Sequence, residues 1–288
     1  MKEKHGVWYT LPLLFWTCVF FIVPTAIIFL YSFLTKGQYG GIIWAFSLRS
    51  YEALFSLSFF KVAVTTITIA LLSTALTLMI ALPVSYFLAR TKNNTTLLVL
   101  VIIPFWVNLL LRVYAWIAIL GREGFLNSLI AKLGYSGEPI QFLFNFWAVV
   151  VVHVYTYLPF MILPLYSTIE KFDFGLLEAA RDLGASHFNS LVKVMLPNIR
   201  GGIVTAVLFT FIPTLGSYAI PDLVGGPDSH MLGNSIAYNI KTAGNWPLAS
   251  AISLVLTIFS GIGILLYFYF NNKGSNKSTR FRVREKTV

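Results

Sequence analysis

Six apolar runs, each about 20 residues or longer, divide this chain at about 11–34, 62–89, 97–120, 142–165, 202–221 and 249–270. A helix advances about 1.5 Å per residue, so about 20 residues cross a hydrocarbon layer of roughly 30 Å. Every run is long enough to span, and none needs a charge at its centre. The expected fold is all-α: a polytopic membrane protein with six transmembrane helices, organised as one domain over 1–288. The first run is too long for a signal peptide and no small-x-small cleavage pattern follows it, so it is read as a span.

Composition agrees. The chain is 57% hydrophobic and 11% charged, against about 25% charged in ordinary soluble domains. A net charge of +10 raises the possibility of nucleic acid, but the basic residues sit between apolar runs rather than on one soluble face. That pattern is orientation by the positive-inside rule, with no nucleic-acid partner expected. Fourteen Lys and Arg fall on one side of the spans and six on the other: Lys36, Arg49, Lys61, Arg122, Lys132 and Lys241. Both termini are therefore expected in the cytoplasm. The basic stretch 271–288 reads as a disordered cytoplasmic tail. Cys18 is the only cysteine, which rules out an internal disulfide or a cysteine-based metal site.

The longest charged interruption, LEAARDLGASHFNSLVKVMLP at 177–197, lies in a cytoplasmic loop of about 166–201. Asp173 is placed to cap a helix through Leu176, Leu177, Glu178, Ala179, Ala180 and Leu183. Gly184 stands where helices stop in a left-handed turn. Ser186 then caps a second helix whose apolar residues Phe188, Leu191, Val192 and Met195 follow helical spacing, and Pro197 ends it. The reading is a two-helix knob with Glu178, Arg181 and Asp182 on its rim. From this pattern alone, a solvated linker is an equal alternative.

The order Glu178-Ala179-Ala180, three residues, Gly184, nine residues, Val194-Met195-Leu196-Pro197 resembles the EAA signature of permease subunits in binding-protein-dependent ABC importers, with Val194 for the usual Ile. FSLRSYEALF, IIPFWVNLLLRVYAW, LPFMILPLYSTIEKFD and PDLVGG are similar to the spermidine/putrescine branch of that family. The resemblance implies a type I importer transmembrane fold, with a core of about 61–270 in the bacterial cytoplasmic membrane. It also implies that loop 170–198 couples to a separate ATP-binding subunit, two copies of it, through Glu178, Ala179, Ala180, Arg181, Asp182, Gly184, Leu196 and Pro197. The remaining implied partners are a second homologous permease, an extracytoplasmic solute-binding protein and membrane lipid. No cofactor, metal or catalytic residue is implied, and the chain has no G-x-x-x-x-G-K-[ST] phosphate loop of its own.

A polyamine path calls for carboxylates at the ammonium ends and aromatic faces along the methylenes. Asp222 is the leading acid because it follows the interrupted run FIPTLGSYAIPD, and broken spans often line transport paths. Trp106, Asn108, Tyr114, Tyr155 and Tyr218 complete the candidate set. Arg112, read on a straight third helix near the outer leaflet, is assigned a structural or receptor-docking role with Asn108 one turn below. His153 lies near mid-membrane, either functional or bonded to a neighbouring helix. The rival readings are the same importer class carrying iron, thiamine, an opine or a phosphonate, an autonomous channel, and a membrane enzyme. The last finds no H-E-x-x-H, G-x-S-x-G or paired intramembrane aspartates to support it.

Overall fold

A computed structural model describes the backbone of residues 4–285 and the side-chain surroundings of residues 10–265 and 268. The chain opens with α1 (Lys4–Thr17), a π-turn (Cys18–Ile22) and α2 (Val23–Ser32) in one continuous run. An antiparallel hairpin follows, β1 (Leu34–Lys36) with β2 (Ile42–Phe46), then α3 (Arg49–Leu54) and the long α4 (Leu57–Arg90). Next come α5 (Asn94–Ile102), a 3-10 turn (Ile103–Trp106), α6 (Leu109–Leu120), α7 (Phe125–Lys132) and α8 (Phe146–Ile169). After α9 (Gly175–Asp182) and α10 (His187–Ser190), a π-turn (Leu191–Met195) leads into α11 (Leu196–Leu215). The chain closes with α12 (Ala219–Val224), a 3-10 turn (Pro227–Ser229), α13 (Leu232–Lys241) and α14 (Trp246–Glu285).

Among the described residues, four segments are long and apolar enough to cross a membrane alone: Thr10–Ser32, Leu57–Arg90, Phe146–Ile169 and Trp246–Leu265. Two bent pairs bring the number to six when each counts as one span: Asn94–Trp106 with Leu109–Lys132, bent by 90°, and His187–Asn198 with Arg200–Leu215, bent by 75°. The third run is therefore not the straight helix expected from its hydropathy. Val107 is extended at ψ 136°, and the Asn108 Oδ1 accepts from the Leu110 N–H at 2.8 Å. A new helix thus starts, with its own cap, in the middle of the apolar run.

The tail also departs from expectation, since α14 remains helical to Glu285. Helix growth adds one bond per residue fixed and needs no new nucleus, so a span that has already formed carries the polar residues after it. Residues 286–288 lie outside the described part.

The chain divides into two compact units, 1–64 with 232–259, and 65–231 with 260–288. In the first, the Gly41 N–H donates to the Gly244 carbonyl at 2.9 Å, and the Ser47 N–H to the Phe33 carbonyl at 2.8 Å. Phe33 stacks on Phe46 at 6.0 Å and meets Tyr51 at 5.1 Å. These contacts fasten the hairpin to its flanks.

The second unit is built on α8, whose Val149, Val150, Val152, His153, Met161, Leu165 and Ile169 are fully buried. One apolar cluster joins Ala81 and Leu88 of α4 to Ile162 and Ile169 of α8, and adds Leu177, Met195 and Ile199. A second joins Ile69 and Val113 to Val149, Ile220, Val224 and Met231. Lipid tails are as apolar as these side chains, so close packing and polar contacts hold such helices together more than escape from water does. The Ser85 Oγ donates to the Ile162 carbonyl at 3.2 Å, between α4 and α8.

Candidate functional site: a glycine-bent knob and two broken spans

The knob forms because its sequence stops one helix and starts another within four residues. The Asp173 Oδ1 accepts from the Gly175 N–H at 2.9 Å, a turn just ahead of α9. The capping position itself falls to Phe174, which makes no side-chain cap, so the expected aspartate cap is displaced by one residue. At the other end the Gly184 N–H donates to the Arg181 carbonyl at 2.8 Å and the Ala185 N–H to the Ala180 carbonyl at 3.0 Å. Those two bonds are a Schellman motif, which requires a left-handed residue at its centre. Gly184 supplies it with φ +88°. Ser186 is extended and its Oγ accepts from the Asn189 N–H at 3.2 Å, which starts α10.

The second helix differs from its sequence reading. Helical spacing places Phe188, Leu191, Val192 and Met195 on one face, but a π-turn over Leu191–Met195 widens the register. Met195 is buried, whereas Phe188 stays 72% exposed. Pro197 does not end the helix either; the backbone stays helical from the π-turn through it into α11. The chain bends just beyond it, between Asn198 and Arg200.

Leu177 anchors the knob, fully buried among Ile169, Met195 and Ile199. The outward face carries Glu178, Ala179 and Asp182, all exposed. Beside them Leu183 is 91% exposed. Ala180 and Arg181 are half-buried, with the Arg181 Nε donating to the Leu177 carbonyl at 3.2 Å. Arg90 steadies the base: its guanidinium lies 5.4 Å from the Phe174 ring centroid and donates to the Tyr86 hydroxyl at 3.0 Å. Nearby, the Asn94 Nδ2 donates to the Tyr166 hydroxyl at 3.0 Å and that hydroxyl donates to Glu170. Leu183 and Phe188, read in the sequence as apolar helix positions, are exposed and were not among the expected coupling residues.

The other candidates lie at the third-span break and on α6, α8 and α12. α6, α8 and α12 pack against one another, with Val113, Val149, Val152, Ile220 and Val224 in a shared core. On this frame Trp106 is 87% exposed at the third-span break, and Asn108 caps α6. Tyr114 is exposed on α6, and Tyr155 of α8 meets Trp116 edge-on at 5.5 Å. Tyr218 is exposed at the N-terminal end of α12 and Asp222 is exposed on its first turn. His230 lies beside Asp222; desolvation lowers its pKa while the aspartate charge pulls the other way. The elements are neighbours, but among the described residues no hydrogen bond or ion pair links Trp106 or Tyr114 to Asp222.

Arg112 does not run straight up a third helix. Its guanidinium folds over Phe105 at 4.7 Å, across the break. Its backbone N–H donates to the Asn108 carbonyl at 3.2 Å. His153 bonds within its own helix, Nδ1 to the Val149 carbonyl at 2.8 Å, rather than to a neighbour. Among the described residues no group of three His, Cys, Asp or Glu is arranged to hold a metal ion.

The model of the family described as "Binding-protein-dependent transport system inner membrane component" matches residues 81–273. Among curated proteins, the chain is 36% identical over 255 residues to the Escherichia coli spermidine/putrescine transport system permease protein PotB, covering 88% of this chain and 93% of that one. To the Haemophilus influenzae PotB it is 35% identical over 258 residues, covering 89% and 90%. Among solved structures, a chain of a bacterial alginate ABC transporter in complex with an alginate pentasaccharide-bound periplasmic protein matches with TM-score 0.75 at 15% identity, over 94% of this chain and 96% of that one. A chain of the MetNI methionine ABC transporter matches with TM-score 0.54 at 22% identity, over 75% and 97%. These two likenesses are of fold.

Proposed function

The chain belongs to the family of binding-protein-dependent transport system inner membrane components, as a non-catalytic, multi-pass subunit of the cytoplasmic membrane, and from that premise we propose that it imports spermidine or putrescine. Membership implies a separate ATPase and a solute-binding protein as partners. The finer assembly is part of the proposal: two ATPase copies, and a second permease completing a twelve-helix core. Both termini then face the cytoplasm, with the knob on the ATPase side.

The observation that carries the coupling role is the knob itself. It is locked to the helix core through Leu177 yet leaves Glu178, Leu183 and Phe188 uncovered. A surface lever must be stiff at its base and unsatisfied at its tip. ATP-driven closure of the ATPase pair would press on that tip, and rigid-body motion of α8 and α11 would switch access. Polyamine cargo is supported by identity to PotB proteins over nearly the whole chain. Asp222 on α12, with the aromatic faces of Trp106, Tyr114, Tyr155 and Tyr218, offers the chemistry such a cation needs.

An inside-negative potential of 100 mV favours a trivalent cation's entry by roughly 7 kcal/mol. ATP is accordingly assigned to direction and gating. The test is a reconstituted complex of both permeases, the ATPase and the solute-binding protein. Spermidine-loaded receptor is expected to stimulate hydrolysis, and uptake to persist with the potential collapsed. Stimulation by a loaded iron, thiamine or phosphonate receptor alone would overturn the polyamine reading.

A further inference from the structure

We propose that a cationic pocket walled by β1, α3 and the start of α14 seats an acidic side chain of the solute-binding protein. This rests on the importer reading above and adds a docking surface to it. The pocket has a volume of ≈ 340 Å³, and Thr35, Lys36, Ser47, Arg49, Ser50 and Asn245 give it polar walls. No carboxylate is among its lining residues, and both Lys36 and Arg49 are exposed. Two cations brought to one cavity without a counter-charge repel each other, and a carboxylate from outside relieves that.

The pocket is preorganised. The hairpin tip is tied at Gly41 to Gly244 by the 2.9 Å bond, where Gly40 and Gly244 approach so closely that a Cβ on Gly244 would stand 3.0 Å from the Gly40 Cα. The Thr35 Oγ1 donates to the Ala45 carbonyl at 3.0 Å, and the Arg49 N–H donates to the Ser47 Oγ at 3.2 Å. The Asn245 Oδ1 accepts from the Leu248 N–H at 3.3 Å, fixing the floor. A rigid seat loses little entropy on binding.

Around this pocket stand exposed aromatics: Tyr39 at 98%, Trp44 at 76% and Phe46 at 75%. Tyr, Trp and Arg are the residues that anchor protein interfaces. The hairpin falls on the extracytoplasmic side by the distribution of basic residues. A polyamine cannot be the occupant, because the pocket repels cations. A solute-binding protein must meet the permease on this face, and a carboxylate on its docking surface would complement the two cations.

The experiment uses the assembled importer in nanodiscs of neutral phosphatidylcholine, with ATPase activity titrated against receptor loaded with whichever solute stimulates the wild type. Lys36→Glu with Arg49→Glu is expected to raise the half-saturating receptor concentration at least about tenfold, since each charge-assisted contact is strong when made. It should also flatten the salt dependence. Lys36→Gln with Arg49→Gln, in complexes that still co-purify with the ATPase, should give a smaller shift of the same sign. An unchanged half-saturation in both variants overturns the proposal. So does an equal shift in Lys132→Glu, which changes a basic residue outside the pocket. A charge dependence seen only when anionic lipid is added assigns the pocket to lipid and also overturns it. Failure of the polyamine reading shows separately, as a wild type that ignores spermidine-loaded receptor.

Discussion

Gly202 of α11 faces Thr168 of α8 with no room for a side chain between them: a methyl built on Gly202 would overlap the threonine Cβ, Cγ2 and Oγ1. The Thr168 Oγ1 is itself held, donating to the Pro164 carbonyl at 2.8 Å, so it cannot swing away without losing a bond. This crossing joins the helix that enters the knob to the helix that leaves it. Overfilling a packed core costs about 1–3 kcal/mol, and Gly202→Ala is expected to lower the melting temperature of the purified complex accordingly. Pairing it with Thr168→Ala should restore most of the loss. A double variant no better than the single one would show that the crossing is not where the strain arises.

A second lock closes the loop after α6. The Asn127 Nδ2 donates to the Gly121 carbonyl at 3.1 Å and the Ile140 carbonyl at 2.9 Å, while its Oδ1 accepts from the Ile140 N–H at 2.9 Å. The residue is nearly buried, at 9% exposure, so water cannot easily replace these bonds. Asn127→Ala is expected to destabilise the 121–140 loop by about 2–3 kcal/mol, several net hydrogen bonds together. Asn127→Asp should fare no better, because a carboxylate cannot donate to two carbonyls. Hydrogen exchange at the Ile140 amide reads the alanine variant directly, and unchanged protection there would refute it.

The knob and the pocket loops show what a sequence exposes and what it hides. Gly184 and Ser186 were readable because the Schellman turn and the serine cap are each settled within about six residues. Pro197 misled because the backbone stays helical through it, from the π-turn into α11. The break at Val107 and Asn108 was concealed by apolar continuity: hydropathy measures greasiness, not direction. Pro104 and the capping amide of Asn108 were the available signs. Gly202 against Thr168 lay beyond reach, since it depends on the register of two helices that no local pattern reports.

Gly184 has open space where a Cβ would go, with nothing within 4 Å, so only its φ of +88° opposes substitution. A left-handed conformation costs an ordinary residue roughly 1–2 kcal/mol and a β-branched one more. Gly184→Val is therefore expected to insert and assemble normally yet tilt α10 away from α9, lowering solute imported per ATP hydrolysed. Gly184→Asn, which tolerates this region better, should retain more coupling. The ordering Gly, Asn, Val in coupled transport is the measurable signature, and full coupling in the valine variant would remove the bend from the mechanism.

Glu178 tests whether the knob grips its partner by charge or by shape. Its carboxylate is exposed on α9, and Arg90 at the base of the knob feels its charge, yet among the described residues none forms an ion pair with it. Exposed Leu183 and Phe188 supply the alternative, apolar grip. A hydrogen bond to a charged group contributes about 1.5–3 kcal/mol when buried in an interface, which is roughly a tenfold to hundredfold change in dissociation constant. Glu178→Ala is expected to weaken ATPase-subunit binding by that factor in detergent, while receptor affinity for solute stays unchanged. Glu178→Gln separates the two grips, because it keeps the side chain's size and loses its charge. If charge dominates, glutamine behaves like alanine and wild-type affinity falls with added salt. If shape dominates, glutamine behaves like wild type, and Leu183→Ala or Phe188→Ala gives the loss instead. A complex indifferent to all of these changes would mean that the ATPase docks elsewhere.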